Sequence, residues 1–178
     1  MRKLLLYPVA AATGIALMPL GTASATSRAD IGSAICRGGS ITFQANPGIR
    51  FNAATVQLSA SGDLGLCRSP ERPKITGGTI RVEATASAQC PEPVLASGAK
   101  ATISWNDGSK TVIDGPSLTG DTRHYSLVGG NVSGVFGGGW AQGTGRTATP
   151  LAEIGAACIT TGVISYTSTI DEFGVGDV

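Results

Sequence analysis

This sequence is poor in the residue types that most often carry chemistry. Its 178 residues include one histidine, His124. Its four cysteines, Cys36, Cys67, Cys90 and Cys158, stand at least 23 residues apart. Zinc sites are built from close ligand pairs such as C-x-x-C joined by histidines, so neither a metal centre nor a cofactor is expected. No G-x-S-x-G turn is present to raise a serine nucleophile. Charged residues make up only 14% of the chain, and neither sign is clustered. A nucleic-acid binder carries a basic patch or stripe, and a membrane-surface helix carries a basic amphipathic face. Neither pattern occurs, which argues against nucleic acid as a partner. Helical periodicity sustained over 12 residues with a cap and little glycine is also missing. The best short exception is Leu151–Ala157, long enough for one or two turns.

What is present begins with an export signal. Arg2 and Lys3 precede an uncharged apolar run, Leu4–Leu20, which ends in Gly21-Thr22-Ala23-Ser24-Ala25. Ala23 and Ala25 supply the small residues that a signal peptidase reads at −3 and −1. A spanning helix needs roughly 20 apolar residues; this run is about 17 long and contains Pro8, Gly14 and Pro19. Residues 1–25 therefore read as a cleaved signal peptide and 26–178 as one secreted β domain with no membrane attachment after cleavage. Loss of Arg2 and Lys3 takes the 13 basic residues to 11, against 12 acidic ones, for a mature net charge of about −1. All four cysteines fall in the exported part, and an even count in an oxidising compartment implies two disulfides.

Apolar and polar residues alternate with period two. Ile80, Val82, Ala84, Ala86 and Ala88 are apolar between Thr79, Arg81, Glu83, Thr85 and Ser87. Ala54, Val56, Leu58 and Ala60 repeat the pattern. Ala101, Ile103 and Trp105 form a third row, and Ile164, Tyr166 and Ile170 a fourth. Such rows bury one face of a strand and wet the other. Gly39–Gln44, Thr111–Asp114, Arg123–Val128 and Asn131–Phe136 are weaker strands. Asn106-Asp107-Gly108 suits a hairpin between Ala101–Trp105 and Ser109–Asp114, and Asn46-Pro47-Gly48 marks another turn. The fold expected is all-β: an antiparallel β-sandwich or small barrel built from hairpins. Strand geometry favours Cys36–Cys67 across the open end of one hairpin. It favours Cys90–Cys158 between two strands, with Cys158 in phase with Ile164 and Tyr166. Gly129–Gly145 is the stretch least expected to be ordered.

Four short motifs add a resemblance. Cys36-Arg37-Gly38-Gly39-Ser40, Trp105-Asn106-Asp107-Gly108, Ser133-Gly134-Val135-Phe136 and the late Cys158 follow an export signal. In this the chain is similar to small secreted proteins common in actinobacteria, from which it departs by one inserted glycine after Cys36. The resemblance implies a β fold and an extracellular fate, and carries no activity or functional residues.

Three functions compete. A triad would have to use His124 with Ser126 and either Asp121 or Asp114. A glycosidase would pair two of Asp63, Glu83, Glu92, Asp107, Asp114, Asp121 and Glu153. An inhibitor or toxin-like effector would need a rigid loop beside a disulfide, for which Cys67–Lys74 is the candidate. Trp105 shares a row with Ile103 and reads as core, whereas Trp140 is the candidate binding residue. The leading expectation is a secreted non-enzymatic domain that binds an extracellular or cell-envelope partner. The alternatives are a small secreted hydrolase and a secreted inhibitor or toxin-like effector.

Overall fold

The computed structural model describes residues 32–91, 94–121 and 123–177. The export signal read over 1–25 lies outside them, as does Glu92. The first half of the chain forms β1 (Ser33–Cys36), β2 (Gly39–Ile49), β3 (Ala54–Leu64), β4 (Cys67–Arg68), β5 (Gly78–Ala88) and β6 (Val94–Ala96). Then come β7 (Lys100–Trp105), β8 (Lys110–Asp114), β9 (Ser117–Gly120), β10 (His124–Val128), β11 (Asn131–Gly134) and β12 (Trp140–Thr147). A helix, α1 (Leu151–Ile159), leads into β13 (Val163–Gly176). Hydrogen-bonded neighbours run β5-β3-β2-β13-β12-β10-β9-β6 and return to β5, so eight antiparallel strands close a barrel. β7, β8 and β11 extend the sheet from the first half of β5, and β1 joins the end of β13 to β4.

The alternating rows on β5, on β7 and, after the exposed Ala54, on β3 take the positions their period requires. Ile80, Val82, Ala84, Ala86 and Ala88 all face the core, as do Val56, Leu58 and Ala60 on β3. The Asn106-Asp107-Gly108 hairpin forms with Gly108 at φ +85°, and Asp107 Oδ1 accepts the Ser109 amide at 2.9 Å. Cys36 faces Cys67 across β1 and β4 and bonds to it, and Cys90 bonds to Cys158.

Four local expectations need correction. Asn46-Pro47-Gly48 is not a turn but part of β2. It bulges there: Ile49 pairs with Val163 and Gln44 with Ser165, so β2 advances five residues where β13 advances two. That irregularity takes Ile164 out of the inward phase, leaving it 62% exposed while Ile170 is buried. Cys158 lies on α1, not on the last strand. Ile154 and Cys158, four residues apart, are the buried side of that helix. Their contacts and the Cys90 bridge fasten α1 over one barrel mouth. Gly129–Gly145 is ordered through β11 and β12 because Val132 and Phe136 are buried and Gly138 N–H closes onto the Val132 carbonyl.

Rings fill the barrel. Phe43 stacks on Tyr166 (centroids 4.9 Å, 14°) and meets Tyr125 edge-on at 5.3 Å. They fit because β12 carries glycine at inward positions. A Cβ on Gly145 would run into the Tyr125 ring and the Thr169 carbonyl oxygen. Small residues opposite large ones are how narrow barrels accommodate rings. Gly145→Ala is expected to destabilise by about 1–3 kcal/mol through overpacking, read as a lower urea midpoint. An unchanged midpoint would contradict this packing.

Of the three tyrosines, Tyr125 and Tyr166 lie among the described residues. Burial pushes the Tyr166 hydroxyl up to about 12. Burial, then the Asp171 and Tyr166 charges, raises Tyr125 well above the usual range. An unfolded tyrosine ionises at about 10. Above that pH the native state therefore holds protons that the unfolded chain has released, and stability falls as pH rises. Tyrosinate absorbance should appear together with loss of near-ultraviolet dichroism. Ionisation at about pH 10 in a still-folded protein would contradict the burial.

Candidate binding face

Where a ligand could sit is decided first by volume. The void inside the barrel, between Phe43, Tyr125 and Phe173, holds about 20 Å³, and the one under α1 about 40 Å³. Sites for small molecules occupy roughly 300–1,000 Å³, so the barrel centre is a packed core and the larger depressions lie on the outside.

The outside is organised by register. Thr167, Thr42, Ser61, Arg81 and Thr102 stand side by side across β13, β2, β3, β5 and β7. The next row reads Thr169, Ser40, Asp63, Thr79, Ser104 and Lys110. A third reads Ser165, Gln44, Ser59, Glu83, Lys100 and Asp114. Each is the polar half of an alternation whose apolar half is in the core. The first two rows from β2 onward, with Glu83 of the third, floor a depression of about 770 Å³ spanning β2, β3, β5, β7 and β8. Asp63, Arg81, Glu83 and Lys110 supply its charges. The four ion pairs among the described residues, Arg37–Glu172, Arg72–Asp107, Lys100–Asp114 and Arg146–Asp171, use none of these. Thr42 and Thr167 share a hydroxyl hydrogen bond at 3.2 Å.

At the end of this face where β5 begins, Ser69–Lys74 forms a fastened loop. The Cys36–Cys67 bridge lies at its base. Glu71 Oε2 accepts the Ser33 amide, and Ser69 Oγ accepts the Arg72 amide at 3.2 Å. Asn106 Nδ2 donates to the Lys74 carbonyl, while Asn106 Oδ1 takes the Thr76 and Gly77 amides. Pro70, Glu71, Arg72, Pro73 and Lys74 remain exposed. The hydrogen bonds from Glu71's own amide and then from the Ser33 amide hold the Glu71 carboxyl below its ordinary range.

Among the described residues the catalytic candidates are not assembled. His124, Ser126, Asp121 and Asp171 do line one shallow depression of about 520 Å³. Yet Asp121 Oδ1 is occupied by the Arg123 and His124 amides, which lower its pKa. Asp171 is held by a bidentate Arg146. No hydrogen bond joins the His124 ring to Ser126 among the described residues. Asp63 pairs with Thr79, four residues from Glu83 on β5, which puts the two positions about 13 Å apart. Glycosidase pairs need about 5–10 Å. Asp114 is bound to Lys100 and sits on the exposed side of β8, Asp107 belongs to its turn, and Glu153 is exposed on α1.

The tryptophans differ. Trp105 is core: its Nε1 donates to Thr111 Oγ1, which donates on to the Val135 carbonyl, each at 2.8 Å. Trp140 is 44% exposed, opposite Gly176 on the β12–β13 side, away from the polar depression. Ile35 and Val128 are exposed on neighbouring rows of that side. Sequence reasoning named the polar half of β5 but not the face it builds. A meander order, β2-β3-β5-β7-β8, was the signal that would have joined these strands.

No family model matches this chain, and no curated protein or solved structure is found to be similar to it.

Proposed function

We propose that the chain is an exported, non-enzymatic binding domain that meets an extracellular or cell-envelope partner through the polar outer face of β2, β3, β5 and β7. Export rests on the signal-like residues 1–25 and agrees with two formed disulfides. No helix among the described residues is long and apolar enough to cross a membrane. The observation that carries the binding reading is the 770 Å³ depression floored by two hydroxyl-rich rows and the unpaired charges Asp63, Arg81, Glu83 and Lys110. Serine and threonine lose little side-chain freedom when held, so a face built from them costs little to order on binding. Secreted protein should begin Thr26-Ser27-Arg28; an intact Met1 on membrane-associated chain contradicts export. The mature domain should co-sediment with insoluble cell-envelope material. Retention by the supernatant sinks the binding reading.

The fastened Ser69–Lys74 loop favours a second reading, in which the loop enters a partner enzyme's cleft as an inhibitor. Loss of any inhibitory activity in Arg72→Ala supports it, and absence of inhibition across secreted hydrolases removes it.

A further inference from the structure

We infer that the ligand of this face is an uncharged, extended glycan chain. The inference rests on the binding reading above and adds the chemistry of the partner. Carboxylates only accept hydrogen bonds, and guanidinium and ammonium groups only donate them. Asp63 and Glu83 therefore call for donors on the ligand, and Arg81 and Lys110 for acceptors, within one depression. A polyanion meets Asp63 and Glu83 as like charges, and a polycation meets Arg81 and Lys110 in the same way. A neutral polymer that carries both donors and acceptors along its length satisfies all four. Sugar hydroxyls do this, and the serine and threonine hydroxyls between the charges can act in either sense. No aromatic or large aliphatic side chain stands among the residues of this depression, apart from Ile80, whose side chain is in the core. An apolar peptide or a lipid surface therefore has nothing to bury there. The rows run across several strands, about 4.8 Å apart, which suits a chain lying along the face better than a compact molecule.

The test is co-sedimentation of the mature, disulfide-bonded domain with three insoluble uncharged glycans, namely cellulose, chitin and a β-glucan, at low and high salt. Heparin and polylysine serve as soluble competitors. The expected result is binding to at least one of the glycans that neither salt nor the two polyions reverses. Replacing both Arg81 and Glu83 by alanine leaves net charge unchanged and should weaken binding at least tenfold, with the far-ultraviolet spectrum and melting midpoint retained. Trp140→Ala should bind as the parent does. Binding that salt or a polyion abolishes overturns the inference, as does loss of binding in Trp140→Ala with the double variant unaffected. Binding to envelope material but to none of the glycans overturns the ligand class and leaves the binding reading standing. Binding to neither overturns both.

Discussion

A Val82→Asp variant is expected to lose several kcal/mol of folding stability, and Glu83→Lys, one residue along the same strand, less than about 1 kcal/mol. Val82 is 2% exposed and lies between Ala60 and Ala101 on the neighbouring strands, which offer a carboxylate no hydrogen-bond donor. Burying an ionised group without a partner is among the largest single penalties a core can meet, and the group responds by taking up a proton. The Val82→Asp loss should therefore shrink at low pH, where the new carboxyl is neutral. Glu83 points to the opposite side of β5, into solvent, with Ser59 and Lys100 beside it. Lysine there faces Lys100 across the strands, but exposed charges are screened and such changes stay small. Urea unfolding of both variants measures the difference. Equal losses would mean that β5 does not present these two faces.

Phe43→Ala should cost about 3–5 kcal/mol, the usual range for removing a buried ring. Against a typical total of about 5–15 kcal/mol, that is a large share. Phe43 is 1% exposed and is the ring on which Tyr166 and Tyr125 rest, one stacked and one edge-on. Its removal opens a void in a barrel whose own void is only about 20 Å³, and the surrounding strands are tied in a closed hydrogen-bonded circuit that resists collapse. Phe43→Leu keeps much of the volume and should lose less. The tyrosines of Phe43→Ala should also ionise at lower pH than those of the parent, because the burial that protects them is relaxed. A loss below about 1 kcal/mol, no more than trimming one methyl group in an Ile→Val change, would show that the three rings do not form the centre of the core.

Much of this fold was legible because alternation is a local property. The strands containing Ile80–Ala88, Ala54–Ala60 and Ala101–Trp105 follow from side chains pointing to opposite faces in turn. The hairpin at Asn106-Asp107-Gly108 follows from a backbone that only glycine adopts easily. What escaped depends on distant partners. The bulge at Asn46-Pro47-Gly48 exists only because β13 pairs there, so Ile164 could not be placed from its own neighbours. A second irregularity at Asp171 moves the inward set from Ser168 and Ile170 to Phe173 and Val175. Cys158 was read on a strand because a nine-residue helix containing Gly155 carries little periodic signal, and its packing comes from the Cys90 bridge. The polar face was hidden for a related reason. Each of its rows takes one residue from each of several strands, and no window of sequence contains a row.

Binding is proposed through the face built by Ser61, Thr79, Arg81 and Thr102. The most direct test is an amide chemical-shift map of the mature domain titrated with soluble oligosaccharides of whichever glycan it sediments with. Shifts should concentrate on β3, β5 and β7 and reach the Ser69–Lys74 loop last. A map centred on Trp140 and Ile35, or on His124 and Asp171, would contradict the claim.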